Sequence, residues 1–387
     1  MTKILELVIF PLVITALWEF LLRDRMLPIF RKLKYRLRDI FFSKEVKLEI
    51  VIESLEKVCI PDERTKIVLS KLNLKTIAVD GCFEILHSHL YRGWRKDDIS
   101  FHSLGRAPIF PDDIKKIAAD NQPTPPNNGK YHLLKLHPDS SEDPVLHVQL
   151  APTDYFSTYP IQKRLFRSEL LSNNGRNCSP FEKYGHTIMD FENTCLPNIV
   201  CCHVIVVIPG NKLLLSQRIQ STNTDWHPGK WSCSFEEQMT VKIGEPRNDK
   251  GFFDTVIAGL EEEFGINDPS VEDIKVLSLV LETDGNVVDA IALAKVTESL
   301  KDIQASCNLK ARDGMNREIR KVDEIAWNFD ALLPILKNEV IHASYSEKIM
   351  PLDWHATSRM RILVALFHEY GIERTLAQLN QRFATRS

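Results

Sequence analysis

GEPRNDKGFFDTVIAGLEEEFGI, residues 244–266, opens as a polar loop, turns apolar at Phe252 and closes on three consecutive glutamates, Phe264, Gly265 and Ile266. The pattern reads loop, helix, loop. On a helix, side chains three and four residues apart share a face, so carboxylates in this run can be presented together. Gly259 inside it weakens such a helix by about 1 kcal/mol relative to alanine. Strand-like segments flank the stretch on both sides. PNIVCCHVIVVIP (197–209) reads as a strand, PGN (209–211) as a turn and KLLLSQR (212–218) as a second strand. A loop with WHPGKWS (226–232) follows, and beyond the stretch come IKVLSLVLETD (274–284) and VVDAIALAKV (287–296).

In this order of elements, 244–266 resembles the Nudix box, the 23-residue loop–helix–loop of the Nudix superfamily, with the pattern G-x5-E-x7-R-E-U-x-E-E-x-G-U, U being a bulky aliphatic residue. Gly244, Leu260, Glu262, Glu263, Gly265 and Ile266 match in frame. Lys250 replaces the first Glu, Ala258 the Arg and Gly259 the Glu after it. The strand pair ending in Arg218 and the tryptophan loop ahead of the box agree with the family, and the resemblance covers roughly 195–340. It implies an α/β (α+β) fold, a Nudix-like α/β/α sandwich around a mixed sheet.

The resemblance also implies a chemistry. In hydrolytic members the helix carboxylates hold Mg2+ beside a diphosphate, since hard oxygen ligands suit a hard cation that offsets phosphate charge and activates water. Glu262 and Glu263 are the implied metal ligands and, were the chain hydrolytic, the catalytic residues; Mg2+ is the implied cofactor. The glycine at 259, the lysine at 250 and the missing box arginine imply a pocket retained with catalysis weakened or lost. Glu236, Glu237, Glu245 and Glu261 are substitute acids, the first two lying where Nudix enzymes often carry Gly-Gly-x-x-Glu; a solvated acidic surface explains them equally well. Trp226, His227, Lys230, Trp231 and Gly244 are the candidate nucleotide-binding residues. Trp226, Trp231, Tyr155 and Phe156 could stack on bases, although each is more often core packing.

The chain has 387 residues, 44% hydrophobic and 26% charged, with a formal net charge of −3, values that exclude wholesale disorder and a general duplex nucleic-acid binder. Eight cysteines occur without a C-x-x-C pair, which points to buried reduced thiols rather than a disulfide framework or zinc.

ILELVIFPLVITALWEFLL (4–22) is apolar except for Glu6, Pro11, Thr15 and Glu19. At about 1.5 Å per residue it would span roughly the hydrocarbon core, which predicts a single transmembrane helix. A buried soluble helix is the alternative; a cleaved signal would need a basic start and a small-residue cleavage site. The segment 23–42 carries seven basic side chains against Asp24 and Asp39. By the positive-inside rule that places the C-terminal bulk in the cytoplasm. The basic segment reads either as a helix lying on an anionic leaflet or as a solvated linker.

Residues 43–129 read as a helical connecting region, with NQPTPPNNGK (121–130) the clearest break in the chain. The main domain is placed at 130–387. YHLLKLH (131–137) and PVLHVQL (144–150) look like two strands, and Met360, Ile362, Leu363, Ala365 and Leu366 suggest a packed helix capped by Gly371.

A transmembrane segment joined to a degenerate Nudix domain is similar to the membrane-anchored effectors of bacterial CBASS anti-phage signalling. That resemblance implies a cytosolic domain that senses a cyclic oligonucleotide made by a cognate nucleotidyltransferase. Binding would promote homo-oligomeric assembly, disruption of the lipid bilayer and abortive infection. The alternative is a membrane-tethered Mg2+-dependent hydrolase of a nucleoside diphosphate derivative. A membrane scaffold without a nucleotide ligand is a third reading.

Overall fold

The computed structural model describes residues 78–79, 82–104, 107–122, 127–138, 145–165, 168–173, 175–187, 190–219, 228–241, 251–282, 285–311, 318–336, 340–344, 348–350, 353–355 and 357–384. The strands are β1 (Ala78–Val79), β2 (Cys82–His87), β3 (Ile99–Ser103), β4 (Gly129–Pro138), β5 (Leu146–Asp154), β6 (Leu171–Asn173), β7 (Arg176–Cys178), β8 (Ile199–Ile208), β9 (Lys212–Arg218), β10 (Trp231–Ser232), β11 (Phe235–Gln238), β12 (Thr240–Val241), β13 (Val271–Glu282), β14 (Val287–Val296) and β15 (Ile319–Ala326). The α-helices are α1 (Asp112–Asp120), α2 (Tyr155–Tyr159), α3 (Pro180–Tyr184), α4 (Phe252–Gly259), α5 (Leu300–Leu309), α6 (Phe329–Leu336), α7 (Ser358–Tyr370) and α8 (Ile372–Ala384).

The central sheet runs β1-β2-β13-β14-β8-β9-β10, with β11 added on β8 and β15 on β9. It is mixed, because β14 and β8 pair in parallel while its other ladders are antiparallel. Every residue of β8 is buried, as its unbroken apolar sequence requires of a strand covered on both faces. Cys202, Val204, Val206 and Ile208 point to one face, together with Ala290, Ala292 and Ala294 of β14. Against these small side chains packs the helix of the acidic stretch, through Phe252, Val256, Leu260 and Phe264, all at most 1% exposed. Each such side chain contributes about 1.5–3 kcal/mol by burial. The opposite face carries Cys201, His203 and Asp289, on the side that α7 covers.

A second sheet, β12-β4-β5-β3, and a β6-β7 hairpin stand apart from the central one. Asn198, at the start of β8, ties the second sheet on. It accepts from the Leu133 N–H at 2.7 Å and donates its own N–H to His132 Nδ1 at 3.3 Å. His132 is thus held neutral, and burial pushes its pKa down to about 4. The unfolded chain binds a proton near pH 6.5 that the folded chain refuses. Stability from this group is therefore complete above that pH and is lost as pH falls toward 4, by about 3 kcal/mol in all. Denaturant titrations at a series of pH values should show this acid loss in the wild type and a flatter slope in His132→Asn.

The expected architecture is corrected in two respects. Among the described residues no helix is long and apolar enough to cross a membrane, and α7 and α8 have 13 residues each. The helix expected at 4–22 lies outside the described residues, as do the basic segment 23–42 and the helix read at 44–58. The strands also form three sheets rather than the single mixed sheet of a simple sandwich. Cys82–His87, read as part of a helical connecting region, is a strand of the central sheet paired with β13. A six-residue segment alternating under long-range pairing carries no helical or strand period strong enough to reveal this. The paired strands read at 131–137 and 144–150 are present as β4 and β5.

Candidate functional site

The helix of the acidic stretch is regular only to Gly259; residues Leu260–Phe264 form a π-helical turn that Gly265 ends in the left-handed conformation, φ 68°. A π turn shifts the helical register of the residues within and after it, which alters where the glutamates point. Glu262 acts electrostatically on Lys130 of β4. Glu263 is buried and acts on Cys307 of α5, whose thiol donates to the Glu263 carbonyl at 3.6 Å. Burial first, and then the charge of Glu263, push the Cys307 thiol up to about 12. Glu262 thus acts on Lys130, and Glu263 on Cys307.

At the position of the missing carboxylate there is no space. A Cβ on Gly259 would lie 2.3 Å from Phe235 Cε2 and 3.1 Å from Phe235 Cδ2 and Cζ. The Phe235 ring is itself buried, edge-on to Phe264 at 5.6 Å.

Strand alternation then separates the two neighbouring acids of β11. Glu237 lies on the Phe235 side and acts on Lys130 and on Cys202, whose thiol burial and Glu237 together raise. Lys130 is only 7% exposed, and its Nζ sits 5.9 Å from the centre of the Tyr155 ring, within cation–π range. Burial lowers the pKa of Lys130, against the pull of Glu237, Cys201 and Glu262 toward the charged form.

Glu236 faces the other way, opposite His203 in the β8–β11 ladder. It bonds Arg361 Nη2, accepts from Ser232 Oγ at 3.2 Å and lies 3.3 Å from His355 Nε2. Arg361 is wholly buried and also donates to Ser232 Oγ at 2.9 Å, the Phe235 carbonyl at 3.3 Å and Thr357 Oγ1 at 2.7 Å. Burial alone would favour a neutral Glu236, yet His355, Arg361, Arg218 and His203 hold its carboxyl well below the usual range. Asp289, 3.1 Å from His203 Nε2, is raised by burial and by Glu282.

Of the residues expected at a nucleotide site, Trp226, His227 and Gly244 lie outside the described residues, as do Glu245 and Lys250. Trp231 is 4% exposed in β10, paired with Gln217 and bridged to Trp354. Lys230 is half-buried, and its carbonyl accepts the Arg218 N–H at 2.9 Å. Tyr155 is half-buried against Tyr159, with ring centres 4.5 Å apart, and its ring centre lies 5.9 Å from Lys130 Nζ. Among the described residues no three His, Cys, Asp or Glu side chains converge as a metal site. None of the described cysteines forms a disulfide, and all but Cys195 among them are buried.

No protein-family model matches the chain. No curated protein matches it either. Among the solved structures it resembles is the crystal structure of DR0079 from Deinococcus radiodurans, at 10% identity over 33% of this chain and 66% of that one, with a TM-score of 0.23. A superposition that loose carries no argument about fold or activity.

Sequence reasoning missed Lys130, His203, Asp289, His355 and Arg361. Lys130 lies more than a hundred residues before Glu237, at the edge of the proline-rich break, and nothing local marks it. Arg361 carried one signal, a lone cation inside the apolar run MRILVALF (360–367).

Proposed function

We propose that the described domain is a degenerate Nudix-like receptor that binds a cyclic oligonucleotide and leaves it intact. The observation that carries this reading is the exchange at Gly259. Phe235 fills the space where a box carboxylate would project, so the acid that would complete a metal site has no room. The separation of Glu262 toward Lys130 and Glu263 toward Cys307 supports the same conclusion. Tyr155 beside Lys130 supports a ligand with a base to stack. In the anti-phage setting that the sequence resemblance implies, binding would act by shifting the domain toward assembly with further copies. A ligand moves such an equilibrium only through its differential affinity for the two states.

The test is titration of the full-length protein with cyclic di- and trinucleotides in Mg2+, reading binding heat and chromatographic products from the same samples. Saturable binding with the nucleotide recovered unchanged is the expected result. Turnover would instead establish the hydrolase alternative, and absence of both across the panel would overturn the receptor reading.

A further inference from the structure

The Mg2+ implied by the resemblance to hydrolases does not fit the residues present. A divalent ion of this kind requires hard oxygen atoms converging on one point. Position 259 has no room for a side chain, Glu262 and Glu263 act on different partners, and among the described residues no three ligands converge. A cation is nevertheless already in place. Lys130 is buried to 7% exposure, its ammonium lies 5.9 Å from the Tyr155 ring centre, its backbone pairs with Thr240 just after β11, and Glu237 and Glu262 act on it electrostatically.

We propose that Lys130 is a built-in cation, its ammonium balancing Glu237 and Glu262 in place of a divalent ion, so that this site works without metal. The inference rests on reading 244–266 as a degenerate box.

Three elements that are distant in sequence supply the arrangement. β4 brings the ammonium, β11 brings Glu237 by alternation on the Phe235 side, and the π turn brings Glu262. A buried ammonium is costly unless opposite charge offsets it, and here two carboxylates oppose the effect of burial. The exchange also separates two roles of a metal. An ammonium can neutralise carboxylates and attract phosphate, but it is no Lewis acid and cannot activate water as a divalent ion does. Charge balance is kept and hydrolytic chemistry is not.

The wild-type full-length protein and Lys130→Met are titrated with Mn2+, read by electron paramagnetic resonance and by thermal melts. Wild type should show no saturable site and no shift in melting temperature. Lys130→Met removes the ammonium beside Glu237 and Glu262 and opens its place to a hydrated divalent ion held through those carboxylates. It should bind Mn2+ at least about tenfold more tightly than wild type and be stabilised by it, and adding Glu262→Gln should abolish both effects. Saturable Mn2+ binding by wild type that Glu262→Gln removes would overturn the proposal, as would a folded Lys130→Met that gains no site. Should Lys130→Met fold only with Mn2+, the proposal is supported; should it fold in neither condition, the wild-type titration decides. In a separate arm, a cyclic dinucleotide should bind wild type equally in Mg2+ and in EDTA. Binding that needs Mg2+ counts against the built-in cation. No nucleotide binding at all strikes the receptor reading and leaves the Mn2+ result standing.

Discussion

Replacing Arg361 by methionine is expected to destabilise the full-length protein by about 3–5 kcal/mol, read as a lowered denaturant midpoint at constant slope. The size reflects the groups that the guanidinium leaves behind. Arg361 is wholly buried and donates to Glu236, Ser232, Thr357 and the Phe235 carbonyl, so its removal strands a buried carboxylate and three further acceptors. An unsatisfied buried group costs more than a made hydrogen bond gains. The same contacts anchor α7 to β10 and β11, so the loss should reach the whole central sheet. Arg361→Lys should recover little, because an ammonium cannot reproduce a planar fork of five donors. The double variant Arg361→Met with Glu236→Gln should be less destabilised than the sum of the single changes, since the neutral amide no longer strands a charge. A simple sum would mean that the two side chains do not act as a pair. The pH dependence has a defined sign. Glu236 titrates below its ordinary value when folded, so its contribution is complete above the usual carboxylate range and is lost as pH falls below it. That acid loss should disappear in Glu236→Gln.

Where local period decides structure, the sequence was readable. The unbroken apolar run of β8, the PGN turn into β9 and the paired strands β13 and β14 are present as their patterns demand. The box helix and the helix closed by Gly371 arise from short-range spacing in the same way. Pairing over distance lay beyond the reach of the period. β2 reaches β13 across nearly two hundred residues, and β12 leaves the central sheet to pair with β4. The site shows the same limit. Glu236 and Glu237 read as one acidic pair, yet strand alternation sends one to Arg361 and the other toward Lys130. Glu262 and Glu263 read as a pair of metal ligands, and in the π turn Glu262 acts on Lys130 and Glu263 on Cys307. Trp231 read as either a stacking surface or core packing, because a tryptophan beside a loop has no period of its own; at 4% exposure, paired with β9 and bridged to Trp354, it is core packing.

Placing at position 259 the glutamate of the Nudix pattern, Gly259→Glu, is expected to destabilise the protein and to confer no hydrolysis. The first atom of any side chain at 259 meets Phe235 Cε2 at 2.3 Å, closer than non-bonded carbon atoms approach. Phe235 cannot swing away freely, because it is buried between Gly259 and Phe264 and its own backbone pairs with Val204 of β8. Overpacking of this kind costs about 1–3 kcal/mol, and a carboxylate forced into the same apolar gap adds a desolvation cost. Gly259→Ala separates the two contributions, since it carries the steric cost without the charge and slightly favours the helix. Both variants should melt below wild type, with the glutamate lower. Phe235→Ala supplies the decisive comparison. Alone it should cost about 3–5 kcal/mol through the cavity it opens. Combined with Gly259→Ala it should cost less than the two changes added together, because the methyl group then enters the vacated space. If Gly259→Ala is neutral in the wild-type background, the close approach of Phe235 is not what excludes a carboxylate. The glycine at 259 would then differ from the Nudix pattern in residue without a difference of space. If instead the penalty appears and Phe235→Ala relieves it, the packing of sheet against helix is what excludes a side chain at 259, and a single substitution there cannot supply a ligand.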